Sequence, residues 1–279
     1  MRIIYIRKRT LYISLGIIII LLLSIKLLYT RFKVKEVTYL PITNRIIGID
    51  PGHGGVDPGA VSRNGVKESD INLKIALKLK RFIEQSGGIV IMTREIDKGL
   101  YTEQAETLRQ MKTEDLINRG ELIEESGCEL FISIHMNSFT SSKYYGAQTF
   151  YSKDSEESKR LAYIIQEELK NILDKDNRRE PTPRDDVYLL KESSMPTVLV
   201  EAGFLSNPLE EKLLLTEEHQ EKIAWSIYVG IMRYLSELTG EYEFWQWMVN
   251  ITYPLSIVDN VDKVDCLLNI TYIRLVLHL

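Results

Sequence analysis

Four side chains in this sequence stand where chemistry could be done: His53, Glu68, His135 and Glu201. His53 lies in IGIDPGHGGVDPGA, residues 47–60, a short apolar run that opens into a loop punctuated by glycine and proline. Such a loop presents a side chain at the carboxyl end of a strand, where open α/β sheets place their sites. His135 ends a second apolar run, in FISIHMNS. Taken singly, each histidine is as readily a structural group, solvated in a turn or capping a strand. Two of them at the carboxyl ends of parallel strands can converge on one ion, and a third protein ligand makes the open site of a catalytic zinc. Glu68, in GVKESDINLK, fits that need, against the plainer role of a helix N-terminal carboxylate favoured by the macrodipole. His219, in a charged helical stretch, and His278, near the C-terminus, are poorer candidates.

Glu201 closes the apolar run TVLVEAGFLSN. A carboxylate at the edge of a core is costly unless paired or working. Beside an activated water it is a general base for amide hydrolysis. The alternative is a salt bridge to Arg119 or Arg94. Cys128 and Cys266 have no paired spacing, so neither a disulfide framework nor a thiolate zinc site is signalled.

These residues need a sheet to carry them. Apolar β-rich runs at Ile46–Asp50, Ile89–Thr93, Leu130–His135, Ala147–Tyr151, Val187–Leu190 and Thr197–Glu201 alternate with helical patterns. Leu73, Ala76, Leu77 and Leu79 to Ile83 recur at helical spacing, as do Ile223, Ile227, Ile231 and Tyr234. Ser155–Leu173 and Glu103–Ser126 also read as helices, the second with a break near Met111. The expected fold is α/β, a mostly parallel sheet flanked by helices. The chain has 279 residues, 44% of them hydrophobic, enough for one such domain at residues 46–240.

The two ends differ in kind. After Arg2, Arg7, Lys8 and Arg9 an apolar run from Leu11 to Ile25 continues past Lys26 to Tyr29, approaching the ~20 residues that cross a bilayer. No small-x-small cleavage site follows, and Arg31, Lys33 and Lys35 make a polar flank, so residues 1–30 read as a retained transmembrane anchor rather than a cleaved signal peptide. Residues 31–45 are then a linker. Residues 241–279 break the pattern and form a tail without an assigned role. The net charge of -4, from 35 basic and 39 acidic side chains, argues against nucleic acid as a partner.

The series IDPGHGGVDPGA, GVKESDINL, TRE, FISIHMNS, GAQTFY and PTVLVEAGFLSN, in this order and over about residues 46–235, resembles the zinc-dependent N-acetylmuramoyl-L-alanine amidases. The resemblance implies a twisted six-stranded sheet with Zn2+ at its carboxyl ends. His53, Glu68 and His135 fall on the family's metal ligands and Glu201 on its catalytic glutamate. Asn137 and Arg119 are further candidates for orienting substrate. GAQTFY, the RREPTPRDDVYLLK stretch and one domain behind an anchor are most similar to the germination-specific amidases of spore cortex, whose action leads to muramic-δ-lactam. The implied substrate is peptidoglycan. It lies outside the membrane, which orients the anchor with the catalytic domain outside the cytoplasm, and an accessory activator protein is a further possible partner. The rival activities are a zinc peptidase cutting within the stem peptide and a non-catalytic peptidoglycan-binding protein.

All these motifs precede Gly240. Removal of residues 241–279 is therefore expected to leave thermal unfolding and hydrolytic activity essentially unchanged; loss of the cooperative melt on truncation would make the tail part of the core.

Overall fold

The computed structural model describes residues 40–239, together with residues 9, 12, 17–24 and 26. The anchor expected over residues 1–30 falls largely, and the tail over 241–279 wholly, outside the described residues. Residues 17–24 are helical and exposed, and among the described residues no helix is long and apolar enough to cross a membrane.

From Leu40 onward the chain forms a six-stranded mixed sheet flanked by helices. The strands are β1 (Ile46–Pro51), β2 (Ile89–Met92), β3 (Leu130–Asn137), β4 (Gln148–Tyr151), β5 (Thr182–Pro183) and β6 (Thr197–Phe204). The helices are α1 (Glu68–Gln85), α2 (Leu108–Glu125), α3 (Glu156–Leu173), α4 (Tyr188–Glu192), α5 (Pro208–Leu214) and α6 (Glu217–Thr239). The sheet order is β2-β1-β3-β6-β4-β5. The first four of these are mutually parallel; β4 runs antiparallel to β6, and β5 runs parallel to β4.

The two-residue period of the strands divides their side chains between two faces. Ile47 and Ile49, Leu130, Ile132 and Ile134, and Val198 and Val200 enter the main core under α1, α3 and α6. On the opposite face Phe131 joins Ile123, Cys128, Leu189 and Met195 in a smaller cluster. That second face also carries polar side chains, among them Asp50, Ser133, His135 and Glu201. One face of the sheet thus packs the main core, and the other combines a smaller core with a row of polar groups.

Three sequence expectations are corrected. Val187–Leu190 is not a strand: Tyr188–Glu192 is the short helix α4, whose Leu189 and Leu190 are buried, and the edge strand is instead Thr182–Pro183. Four apolar residues fit one helical turn as well as a strand, and packing chooses between them. Helix α2 has no break at Met111 and starts at Leu108, where Thr107 accepts a hydrogen bond from Gln110 N and the Gln110 side chain accepts from Thr107 N, a capping box. The folded unit also takes in residues assigned to the linker, since Ile42 is fully buried in the main core.

Trp225 of α6 is buried against Phe82 of α1, with ring centroids 5.4 Å apart and edge-to-face, and against Tyr228 at 5.2 Å. Trp225→Ala is expected to cost about 3–5 kcal/mol by opening a cavity between these helices. Chemical denaturation of both proteins measures it, and a cost under about 1 kcal/mol would mean the α1–α6 seam is not a major support.

Candidate active site

The four candidates meet at the carboxyl ends of β1, β3 and β6. His53 follows β1 in a left-handed conformation (φ 63) that turns its ring back over the sheet. Glu68 is the first residue of α1, and His135 lies on β3. One nitrogen or oxygen from each of these three side chains lies within 4.8 Å of the others. Glu68 Oε1 is 3.2 Å from His53 Nε2 and 3.0 Å from His135 Nδ1. The imidazoles stand edge to face, centroids 4.9 Å apart.

The close approach depends on two glycines. A Cβ on Gly52 would lie 2.2 Å from the His135 ring; one on Gly59, whose φ is +67, would lie 2.6 Å from Glu68 Oε2 and 2.7 Å from His53 Cδ2. Two of the three ligand candidates, His53 and Glu68, are further held from behind. His53 Nδ1 is 2.7 Å from Asp57 Oδ2, leaving Nε2 aimed inward, the arrangement by which a carboxylate orients a metal-binding imidazole. Glu68 accepts hydrogen bonds from Ala60 N at 2.8 Å, Met136 N at 3.1 Å and Asn72 Nδ2 at 3.4 Å.

The charge balance suits a cation. Burial alone would lower the His53 pKa, but hydrogen bonds and attraction from Asp57 and Glu68 raise it to about 10. Burial would raise Glu68, yet the two histidines hold it well below the usual carboxylate range, and Asp57 is likewise held low by His53 and Lys112 against its own burial. The cluster therefore stabilises positive charge at its centre, and its N2O donor set is that of three-ligand zinc sites.

Glu201 pairs directly with His135 across β3 and β6, and with Gln148 across β6 and β4. Paired residues share a face of the sheet, so the carboxylate borders the histidine. Its Oε2 is buried without a hydrogen-bond partner. Burial, opposed by His135 and reinforced by Glu68, pushes its pKa up to about 7. The salt-bridge alternative fails on geometry: Arg119 and Arg94 are both spent elsewhere.

Those two arginines lie under the first loop. Arg119 donates to Asp50 Oδ1 at 2.7 Å, Asp115 Oδ2 at 3.0 Å, Pro51 O at 3.1 Å and His53 O at 2.7 Å. Arg94 donates to Pro51 O at 2.8 Å, Gly52 O at 3.1 Å, Ser69 O at 2.9 Å and Ile96 O at 3.2 Å. Asp50 also accepts from Thr93 at 2.6 Å and Ser133 at 2.7 Å. Arg119 is thus a buried strut and not a group facing substrate, which corrects the sequence expectation. Asn137 stays half-buried at the end of β3, where the register with β6 shifts. Asp57, Asn72 and Asp50 escaped the sequence reading. Asp57 was recoverable, four residues from His53 within one glycine-rich loop; the other two needed the fold.

Comparison with known proteins identifies the family. Residues 47–233 match the N-acetylmuramoyl-L-alanine amidase family. The germination-specific N-acetylmuramoyl-L-alanine amidase of Bacillus subtilis (strain 168) is 40% identical over 233 residues, 83% of this chain and 97% of the relative. Among solved structures, the CwlD amidase from Clostridioides difficile in complex with the GerS lipoprotein is 57% identical, with a TM-score of 0.68 over 69% of this chain and 99% of that chain. An N-acetylmuramoyl-L-alanine amidase from Clostridium difficile 630 is 31% identical with a TM-score of 0.61, over 70% of this chain and 98% of that chain.

Burial would raise the Asp50 pKa, but Arg119, then His135, Thr93 and Ser133, lower it from 3.8 to about 2. The stability this contributes is present above pH 3.8 and lost as pH falls toward 2, about 2 kcal/mol in all. Asp50→Asn is expected to lose about 3–5 kcal/mol at pH 7, because Arg119 stays buried without its main counter-charge, and to lack that part of the acid dependence. Denaturation from pH 7 to 2 checks both, and equal stability at pH 7 would remove the strut from the account.

Proposed function

Because the chain belongs to the N-acetylmuramoyl-L-alanine amidase family, we propose that it is a zinc-dependent hydrolase of the bond between N-acetylmuramic acid and L-alanine in peptidoglycan, with His53, Glu68 and His135 as the metal ligands and Glu201 as the catalytic base. The observation that carries this reading is the position of Glu201: in register with His135, beside the His53, Glu68 and His135 cluster, with a buried oxygen that has no hydrogen-bond partner among the described residues.

Bound zinc would supply Lewis-acid polarisation of the lactyl carbonyl and a water of lowered pKa. The rest falls to the chain's own groups. Glu201 takes the proton of the attacking water at its buried carboxylate oxygen and delivers it to the alanine nitrogen as the C–N bond breaks. Burial raises the pKa of this carboxylate, which favours its taking up a proton. Asp57 holds the His53 ring in the tautomer that leaves Nε2 free. The products are a free lactyl carboxylate on the glycan and a free amine on the peptide.

The likeness to a germination-specific relative supports a role in spore cortex, where removal of the peptide precedes muramic-δ-lactam formation. A similar enzyme has been solved with a lipoprotein, which supports a protein partner for this chain also. The apolar run near the N-terminus supports attachment to the membrane, and a substrate that lies outside the membrane supports a catalytic domain outside the cytoplasm.

Two variants separate base from ligand. Glu201→Gln keeps the shape but cannot take a proton, so it is expected to bind zinc normally while turnover falls by roughly 10²- to 10⁴-fold. His135→Ala is expected to lose zinc as well as activity. Metal content measured beside mass analysis of peptidoglycan fragments reads both. Near-normal cleavage by Glu201→Gln would overturn the mechanism, and products with alanine still on muramic acid would replace the amidase by a peptidase.

A further inference from the structure

Beyond His135 and Glu201, β3 and β6 run on into a group of aromatic rings that the proposed chemistry does not use. Phe204, at the end of β6, is buried and forms the floor. Tyr144 stacks over it, ring centroids 6.2 Å apart and planes within 29°, and Phe139 meets Tyr144 edge to face at 5.0 Å. Phe139 and Tyr145 are more than half exposed, at 56% and 53%, and Tyr144 is 37% exposed. Cations sit over two of the rings: Arg179 is 4.4 Å from the centroid of Phe204, and Lys143 is 5.3 Å from that of Tyr144.

This segment is pinned rather than loose. Phe139 N donates to Ser206 Oγ at 3.0 Å, Asn207 Nδ2 to Tyr144 O at 3.1 Å, Arg179 Nε to Tyr145 O at 2.7 Å, and Gly146 N to Glu210 Oε1 at 2.9 Å. Anchored backbone holds these grouped rings open to water, and a contiguous exposed apolar patch is a feature of interaction sites. Phe139 follows His135 by four residues, so its Cα lies within about 14 Å of the histidine's, at most the contour of that chain.

We propose that Phe139 and Tyr144 form a stacking ledge for the saccharides that neighbour the cleaved muramic acid, so that the enzyme selects glycan strands over isolated muramoyl peptides. The proposal rests on the amidase reading above. A pyranose ring offers a flat face of C–H bonds that covers an aromatic ring without burying an unpaired polar group. The ledge follows directly on the ends of the two strands that carry His135 and Glu201.

Phe139→Ala and Phe139→Trp test this in the full chain, since the side chain is exposed and its loss leaves the core alone; unchanged melting temperatures confirm that. Phe139→Ala is expected to raise KM for long glycan strands carrying stem peptides about 10-fold, the fold-change matching an aromatic contact of about 1.4 kcal/mol. Its kcat/KM for a single muramoyl-alanyl peptide should stay at the wild-type value, and Phe139→Trp should restore the glycan KM. Peptide-free glycan strands should likewise bind wild type more tightly than Phe139→Ala, a measurement that involves no cleavage. Equal loss on both substrates, no loss on either, or equal binding of the peptide-free strands would overturn the ledge. If the wild type leaves alanine on muramic acid, the amidase reading falls, and the ledge then stands or falls on the glycan-binding comparison.

Discussion

The candidate site hangs on a charge cluster buried beneath it. Asp50 ends β1 inside the protein and is neutralised by Arg119 from α2, with Arg94 beside them; between them the two guanidinium groups gather the carbonyl oxygens of Pro51, Gly52 and His53. A loop this rich in glycine loses much conformational entropy on ordering, and its backbone acceptors need partners once covered. Charged donors meet both demands, because they bond strongly and their own burial is compensated by Asp50 and Asp115. With that loop held, His53 stays in its left-handed conformation and its ring faces Glu68 and His135.

The same arrangement explains why the two carboxylates of the site differ. Glu68 lies between two imidazoles and accepts two backbone N–H bonds, so its charge is stabilised wherever a cation or a proton occupies the cluster. Glu201, one strand away, has neither kind of partner at Oε2 and is left with burial as its largest influence. The surroundings of one carboxylate favour its ionised form and those of the other its protonated form, which suits the ligand and base roles proposed for them. Their roles follow from surroundings and not from residue type.

The strands also connect site to surroundings. Beyond the register shift after His135, β3 and β6 cease to pair regularly, and there the sheet gives way to the aromatic ledge around Phe204. Irregularity at this edge spreads the two strand ends into a surface, while the parallel pairing below keeps His135 and Glu201 in one row.

What the sequence determined by itself were the strand ends and the residues on them. Apolar runs that stop on His135 and Glu201 declare both a buried strand and a polar group at its exit, because a charge at the edge of a core is costly unless it is paired or working. The glycines around His53 declared a tight loop by their local conformational preference. Those signals are local in the chain, so they are legible without the fold. Tertiary structure alone decided which polar groups met. Arg119 reads in sequence as a group free to face substrate or pair with Glu201, and becomes a strut only because α2 lays it against Asp50, 69 residues away in the chain. Val187–Leu190 reads as a strand, and becomes part of a helical turn because Leu189 and Leu190 must reach buried positions beside β6. The orphaned oxygen of Glu201 was equally invisible, since it reflects the partners that the surrounding fold fails to provide. Pairings between distant segments depend on packing that no short stretch encodes.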